Sequence, residues 1–134
     1  MNELNSVDPG PEDIERFLAE AGEEEIVMLN LLRYAEDGGR ETYAEYAAKA
    51  APFLAGVGGE LLYAGDCGTA LVAPEGHRWD TILLVRYPSK HAFLEMVGNP
   101  DYLEVTRIRT RALAAAVLQL TRPLDALGAP GTDR

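Results

Sequence analysis

Two stretches of this 134-residue chain are apolar on both sides. Residues 26–32 read IVMLNLL, and residues 80–87 read DTILLVRY. Successive side chains of a strand point to opposite faces. The first stretch therefore sends Ile26, Met28 and Leu32 one way and Val27, Leu29 and Leu31 the other. The second sets Ile82 and Leu84 against Leu83 and Val85. Strands of this kind need cover on both surfaces of their sheet. Any fold for the chain must supply it.

The rest of the chain alternates with these strands. Residues 1–10 read as a loose arm ending in Asp8-Pro9-Gly10. Pro11 suits a first helical turn, and Glu12 and Asp13 complement its positive end. Ile14, Phe17, Leu18 and Ala21 then form one helical stripe, stopped by Gly22. Asp37-Gly38-Gly39 breaks the chain before a helix over 40–55, with Tyr43, Tyr46, Ala47, Ala50 and Leu54 on one face. Residues 60–64 (ELLYA) form a strand, and Gly65 and Gly68 predict a bend before an extended stretch over 69–73 (TALVA). A turn at 74–76 leads to the strand over 80–87, which Pro88 stops. Ser89 caps a short helix to about residue 97, and Pro100 opens another over 101–113. In residues 114–121 (AAAVLQLT) the alanines favour helix. The Val-Leu-Gln-Leu-Thr end and the topology favour a strand, which is the expectation. The chain thus divides into an acidic arm and helix (1–25), a domain (26–123) and a tail (124–134).

After the first helix the order is β-α-β-β-α-β, the split βαβ or ferredoxin-like α+β plan. Right-handed crossovers place the helices on one face of a four-stranded antiparallel sheet, with strand order 4-1-3-2. The other face is left bare. A patch of several hundred Å² of large apolar side chains is uncommon on a soluble monomer. The economical cover is a second copy of the same sheet, giving a homodimer about a two-fold axis. The competing cover is the N-terminal helix or the C-terminal tail folded beneath the sheet.

Charge narrows the partners. The chain carries 22 acids and 12 bases, a net charge of -10. Residues 1–25 hold nine of the acids and only Arg16 as a base, so the body of the protein is nearly neutral. That balance speaks against nucleic acid, which needs a positive stripe. The acidic segment reads as a solvated helix face or, in a sharper reading, as a docking arm for a basic partner. No apolar run reaches the ~20 residues of a membrane span. The start MNELNSVDPG lacks a secretory pattern, so a cytoplasmic location is expected. Cys67 is the one cysteine, in a glycine-rich bend without a neighbouring histidine. His77 and His91 stand apart at no ligand spacing, so no metal site is expected. There is no phosphate loop or dinucleotide fingerprint, and no cofactor is expected.

Several segments carry a resemblance. VMLNLLRY (27–34), GRETYAEYA (39–47), VGGELLYAG (57–65), RWDTILLVRYPSKHAFLEMV (78–97), NPDY (99–102) and RTRAL (109–113) together resemble a bacterial family, domain of unknown function 1330. The family belongs to the dimeric α/β-barrel superfamily. The resemblance implies a ferredoxin-like subunit that pairs into a barrel-like dimer. It implies no established reaction, since that superfamily spans cofactor-independent monooxygenases, haem-degrading and chlorite-processing enzymes, and simple binding proteins.

The polar residues that interrupt the apolar pattern are the candidate site. On the last helix Arg109 falls within the arc of Tyr102, Val105, Ile108 and Ala112. A buried guanidinium must be paired or reach a cavity. It is read either as a partner of Asp80 or Asp101 or as a clamp for an anionic ligand. Asn30 interrupts its strand and needs partners for its amide, from the sheet or from a ligand oxygen. Trp79 and Asp80 should sit beside Arg33 and Tyr34, as core plug and strand-end partner or as the mouth of a pocket. Tyr102 shares the Arg109 stripe. Tyr43 and Tyr46 read as core, and Arg86 as an ion-pair residue. The candidate pocket is therefore Asn30, Tyr34, Trp79, Asp80, Tyr102 and Arg109. It suits a small, anionic, carbonyl-containing molecule and cofactor-free chemistry, with Asp80 or a tyrosine moving a proton. The alternative is a non-catalytic dimerisation or binding module whose polar residues only satisfy one another.

Overall fold

The computed structural model describes residues 7–124 and 127. The expected arm over 1–6 and most of the expected tail lie outside the described residues. The elements run α1 (Pro11–Glu20), β1 (Ile26–Tyr34), α2 (Gly39–Gly56), β2 (Glu60–Asp66), β3 (Thr81–Tyr87), α3 (Lys90–Val97), α4 (Pro100–Ala112) and β4 (Leu113–Thr121). The four strands form one sheet in the order β2-β3-β1-β4, and all three pairings are antiparallel. This is the ferredoxin-like arrangement, with α1 added. No helix among the described residues is long and apolar enough to cross a membrane.

Register decides which side chains share a face. Met28 lies opposite Val85 and Leu120, and Asn30 opposite Leu83 and Leu118. Ile26, Met28, Val85 and Tyr87 meet Phe93, Met96 and Tyr102 of the helices in the main core. The odd-numbered set of β1, Val27, Leu29 and Leu31, faces away with Ile82 and Leu84 of β3 and Val117 of β4. None of these six joins either core cluster.

The N-terminal helix does not shelter that second face. Its Phe17 ring lies 5.2 Å from the Phe93 ring. The Lys90 ammonium donates to the carbonyls of Leu18 (3.0 Å) and Ala21 (2.9 Å). A cation there satisfies carbonyls that the end of α1 leaves without intrahelical partners. Thus α1 joins the other helices, and one of the two competing covers is removed. The acidic segment also pairs within the chain: Glu25 with Arg86 at 3.4 Å and Glu23 with His91 at 3.3 Å. Such exposed pairs each contribute little stability.

Two local readings meet the structure differently. The stretch 69–73 is not extended in the sheet, and Leu71 and Val72 are 92% and 95% exposed. The β2–β3 ladder ends at Asp66 opposite Thr81, followed only by the bond from Cys67 N to Asp80 O at 2.9 Å. Beyond it the chain leaves the sheet, and apolar side chains alone do not make a strand. Residues 113–121, by contrast, are a strand despite three successive alanines. The free edge of β1 offers a full ladder, and pairing overrides intrinsic preference. The Ser89 cap is as expected: its hydroxyl accepts from Ala92 N at 3.1 Å.

Gly39, buried at the start of α2, marks the tightest joint. A Cβ there would lie 2.6 Å from the Ala112 carbonyl oxygen and 3.0 Å from the Tyr34 Cβ. That carbonyl is already fixed by the bond from Ala35 N at 2.8 Å. Gly39→Ala is therefore expected to cost about 1–3 kcal/mol by overpacking. Urea denaturation should show a lower midpoint with an unchanged slope.

Candidate ligand cavity

Helices pressed on a sheet by large, irregular side chains leave space where small residues face each other. Here Ala47, Ala50 and Ala51 of α2 and Ala64 of β2 contribute to the wall of a cavity of about 680 Å³. The sheet supplies Asn30, Leu83 and Val85, α2 supplies Tyr43 and Tyr46, and α4 supplies Tyr102 and Arg109. Asp8, Pro9 and Ile14 complete the wall from the N-terminal segment. A second hollow of about 740 Å³ lies between α1 and β4, and its charged side chains Asp8, Asp13, Arg16 and Glu20 are all exposed.

Helical spacing places the polar groups. Tyr43 and Tyr46 are three residues apart on α2, so they share a face. Their rings lie 5.2 Å apart, and the Tyr46 ring lies 6.4 Å from that of Tyr102. The Tyr46 and Tyr102 hydroxyls share a 2.5 Å hydrogen bond. Burial, reinforced by that bond, pushes the Tyr46 phenol far up. Burial pushes the Tyr43 phenol up to about 12, against the opposing pull of the Arg109 charge. Both are neutral donors near pH 7.

Arg109 is 6% exposed. Its Nη1 donates to the Val7 carbonyl at 2.6 Å and lies 3.8 Å from the Asp8 carboxylate. Its buried Nη2 has no hydrogen-bond partner among the described residues. The expected partners Asp80 and Asp101 are not the ones used: the N-terminal segment passes over α4 and reaches Arg109 first. Asn30 is also buried, and its amide makes only a long bond to the Met28 carbonyl, 3.4 Å. A hydrogen bond of that length leaves much of the amide's capacity unused.

The other three candidates do not line this cavity. The Asp80 carboxylate accepts from Tyr34 N at 2.9 Å, and the Tyr34 hydroxyl donates to Thr81 Oγ1 at 2.8 Å. Thr81 donates in turn to Asp66 at 2.9 Å. That bond, with Arg40 at 3.2 Å, holds the Asp66 carboxyl below its usual range. The Arg33 guanidinium lies over the Trp79 ring at 5.4 Å. These contacts lock the ends of β1 and β3 together. In their place the structure brings in Tyr43 and Tyr46, which the sequence reading treats as core. Their signal was two phenols on an inward stripe, each needing a partner for its hydroxyl. Among the described residues no three His, Cys, Asp or Glu side chains gather as a metal site.

Fold and cavity together define a ferredoxin-like α+β domain, the fold of the dimeric α/β-barrel proteins, with a partly open space between sheet and helices. Residues 36–121 match the family described as Domain of unknown function (DUF1330), and the chain belongs to that family. No curated protein sequence matches it. It is similar to a protein of unknown function from Rhodopseudomonas palustris, with 32% identity and a TM-score of 0.83 over 91% of this chain and 99% of that one. SnoaB, a cofactor-independent oxygenase from Streptomyces nogalater, shares the fold at 17% identity and TM-score 0.54, over 79% of this chain and 99% of its own. So does a dimeric ferredoxin-like protein of unknown function from Bacteroides fragilis, at 9% identity and TM-score 0.51, over 72% and 94% of the two chains.

The position of Tyr43 sets a pH dependence. Burial pushes its phenol up to about 12 in the folded state, from the ordinary tyrosine value of 10.0. Above pH 10 the unfolded chain therefore loses this proton while the native state keeps it. The contribution is complete below pH 10 and is lost as pH rises through 12, at about 1.4 kcal/mol per pH unit. Denaturation between pH 9 and 11 should show a steeper loss of stability for the wild type than for Tyr43→Phe.

Proposed function

We propose that this protein binds a small carboxylate or related anionic carbonyl compound in the cavity between its sheet and helices. The observation that carries this reading is Arg109, a buried cation at a largely apolar cavity, one of whose guanidinium nitrogens has no hydrogen-bond partner among the described residues. Keeping such a donor dry and unpaired costs about 1–3 kcal/mol or more. A ligand carboxylate would relieve that cost through a charge-assisted fork. Tyr43 is the neighbouring neutral donor, Asn30 a second amide on the sheet, and the apolar walls fit a hydrocarbon or aromatic body.

The same groups suit cofactor-free chemistry on a carbonyl compound. Arg109 and Asn30 would stabilise an enolate-like oxygen, and the neutral Tyr43 phenol would supply its proton. SnoaB is described as a cofactor-independent oxygenase, which makes such chemistry compatible with this fold. Asp80 has no part in this reading, being committed to Tyr34 N. The competing reading, a module whose polar groups only satisfy each other, draws on the bond from Arg109 to Val7.

Calorimetric titration with 4-phenylbutyrate and its neutral amide separates the two. In the first reading the wild type prefers the carboxylate by about 10-fold or more, and Arg109→Met removes the preference but leaves a folded protein. In the second, neither form shows a preference and Arg109→Met changes stability alone.

The protein is further proposed to work as a homodimer through the face of Val27, Leu29, Leu31, Ile82 and Leu84. Burying each such side chain is worth about 1.5–3 kcal/mol, α1 packs on the opposite face, and the Bacteroides protein of this fold is dimeric. Light scattering at low micromolar concentration should give twice the chain mass. Leu29→Asp should give the single-chain mass. A wild-type monomer would remove the dimer.

A further inference from the structure

The segment over 7–10 is attached differently from the helix it precedes. Helix α1 is fastened by Phe17 against Phe93 and by Lys90 on the Leu18 and Ala21 carbonyls. Residues 7 and 8 reach across the molecule instead. The Val7 carbonyl takes Arg109 Nη1 at 2.6 Å, and the two Asp8 carboxylate oxygens take the Thr110 hydroxyl at 3.1 and 3.2 Å. Gly10 separates the two anchorages, with the first α1 bond running from Ile14 N to Gly10 O at 3.1 Å. The Val7 side chain also packs against the cluster of Leu32, Tyr43, Ala112 and Leu113, so lifting the segment gives up that contact while the anchors of α1 stay in place.

What it does at Arg109 is incomplete. A guanidinium presents donors in a planar fork that two carboxylate oxygens match. The segment serves Nη1 with one neutral carbonyl. The Asp8 carboxylate, held at Thr110, stays 3.8 Å away, and Nη2 has no hydrogen-bond partner among the described residues. Asp8 is also half solvated, its side chain 48% exposed, so water can reach the carboxylate. Asp8 and Pro9 are at the same time part of the cavity wall.

We infer that Val7 and Asp8 are an internal occupant of the anion position at Arg109, and that a carboxylate ligand binds by displacing them. This rests on the proposed reading of the cavity as an anion site. The strap neutralises the arginine while the cavity is empty, and its departure opens the wall as the ligand's two oxygens take Nη1 and Nη2. The ligand must then outcompete a tethered carboxylate, so affinity is set by the strap as well as by the pocket. It also follows that a neutral analogue gains nothing from loss of Asp8.

The full-length protein and Asp8→Asn are titrated with 4-phenylbutyrate and with 4-phenylbutyramide. Amide hydrogen exchange over residues 7–21 is followed in the wild type with and without saturating 4-phenylbutyrate. Asp8→Asn should tighten the carboxylate about 5-fold or more and leave the amide unchanged. In the wild type the carboxylate should speed exchange over 7–10 and leave the Phe17–Ala21 region as it was. Equal carboxylate affinity in both proteins, or slower exchange over 7–10 on binding, overturns the strap while the anion site stands. Absence of any preference for carboxylate over amide in either protein overturns the anion site and the strap with it.

Discussion

The pairing of β1 with β3 is the constraint from which the rest of the molecule follows. Both strands are apolar on either side, and the antiparallel register sets Met28 against Val85 and Leu29 against Leu84. A split βαβ connection can place helices on only one of the two surfaces thus created. The covered surface becomes the core, where Ile26 and Leu32 are fully enclosed. The other receives no helix, and a second copy of the sheet is the cover we propose. Even the added helix α1 obeys this division, because Phe17 and Lys90 tie it to the helical layer.

Within the covered layer, packing is incomplete between the sheet, α2 and α4, and buried polar residues gather there. Alanines on α2 and β2 leave room that Tyr43, Tyr46 and Tyr102 only partly fill. Two of those phenols satisfy each other, and burial pushes the Tyr46 phenol far up. Arg109 is the exception. A buried cation is costly unless it is fully paired and hydrogen-bonded, and this one has a carbonyl, a carboxylate at 3.8 Å and a nitrogen with no hydrogen-bond partner among the described residues. Such an arrangement is more intelligible in a site kept ready for an anion than in a finished structural contact. That is the physical basis of the proposed function.

Much of this was legible along the chain. The element order, the capping by Ser89, the strand order and the inward placement of Arg109 all follow from local rules. So does the contact of Arg33 and Tyr34 with Trp79 and Asp80, which antiparallel pairing alone predicts. The site was legible only in part. Asn30, Tyr102 and Arg109 line the cavity, whereas Tyr34, Trp79 and Asp80 belong to a strand-end lock. Sequence patterning tells that a polar residue points inward. It does not tell whether the space it meets is full, since that depends on the summed shapes of residues far apart in the chain.

By itself the sequence determined the ferredoxin-like plan and the need for cover on a second sheet face, because hydrophobic periodicity and turn chemistry act over a few residues. Only the tertiary structure decided two matters. It ended the β2–β3 ladder at Asp66 and left Leu71 and Val72 in solvent. It brought Val7 and Asp8, about a hundred positions away, to Arg109. Each is a contest between long-range partners, and backbone pairing or charge neutralisation across the fold outweighs the local preferences that a linear reading can weigh.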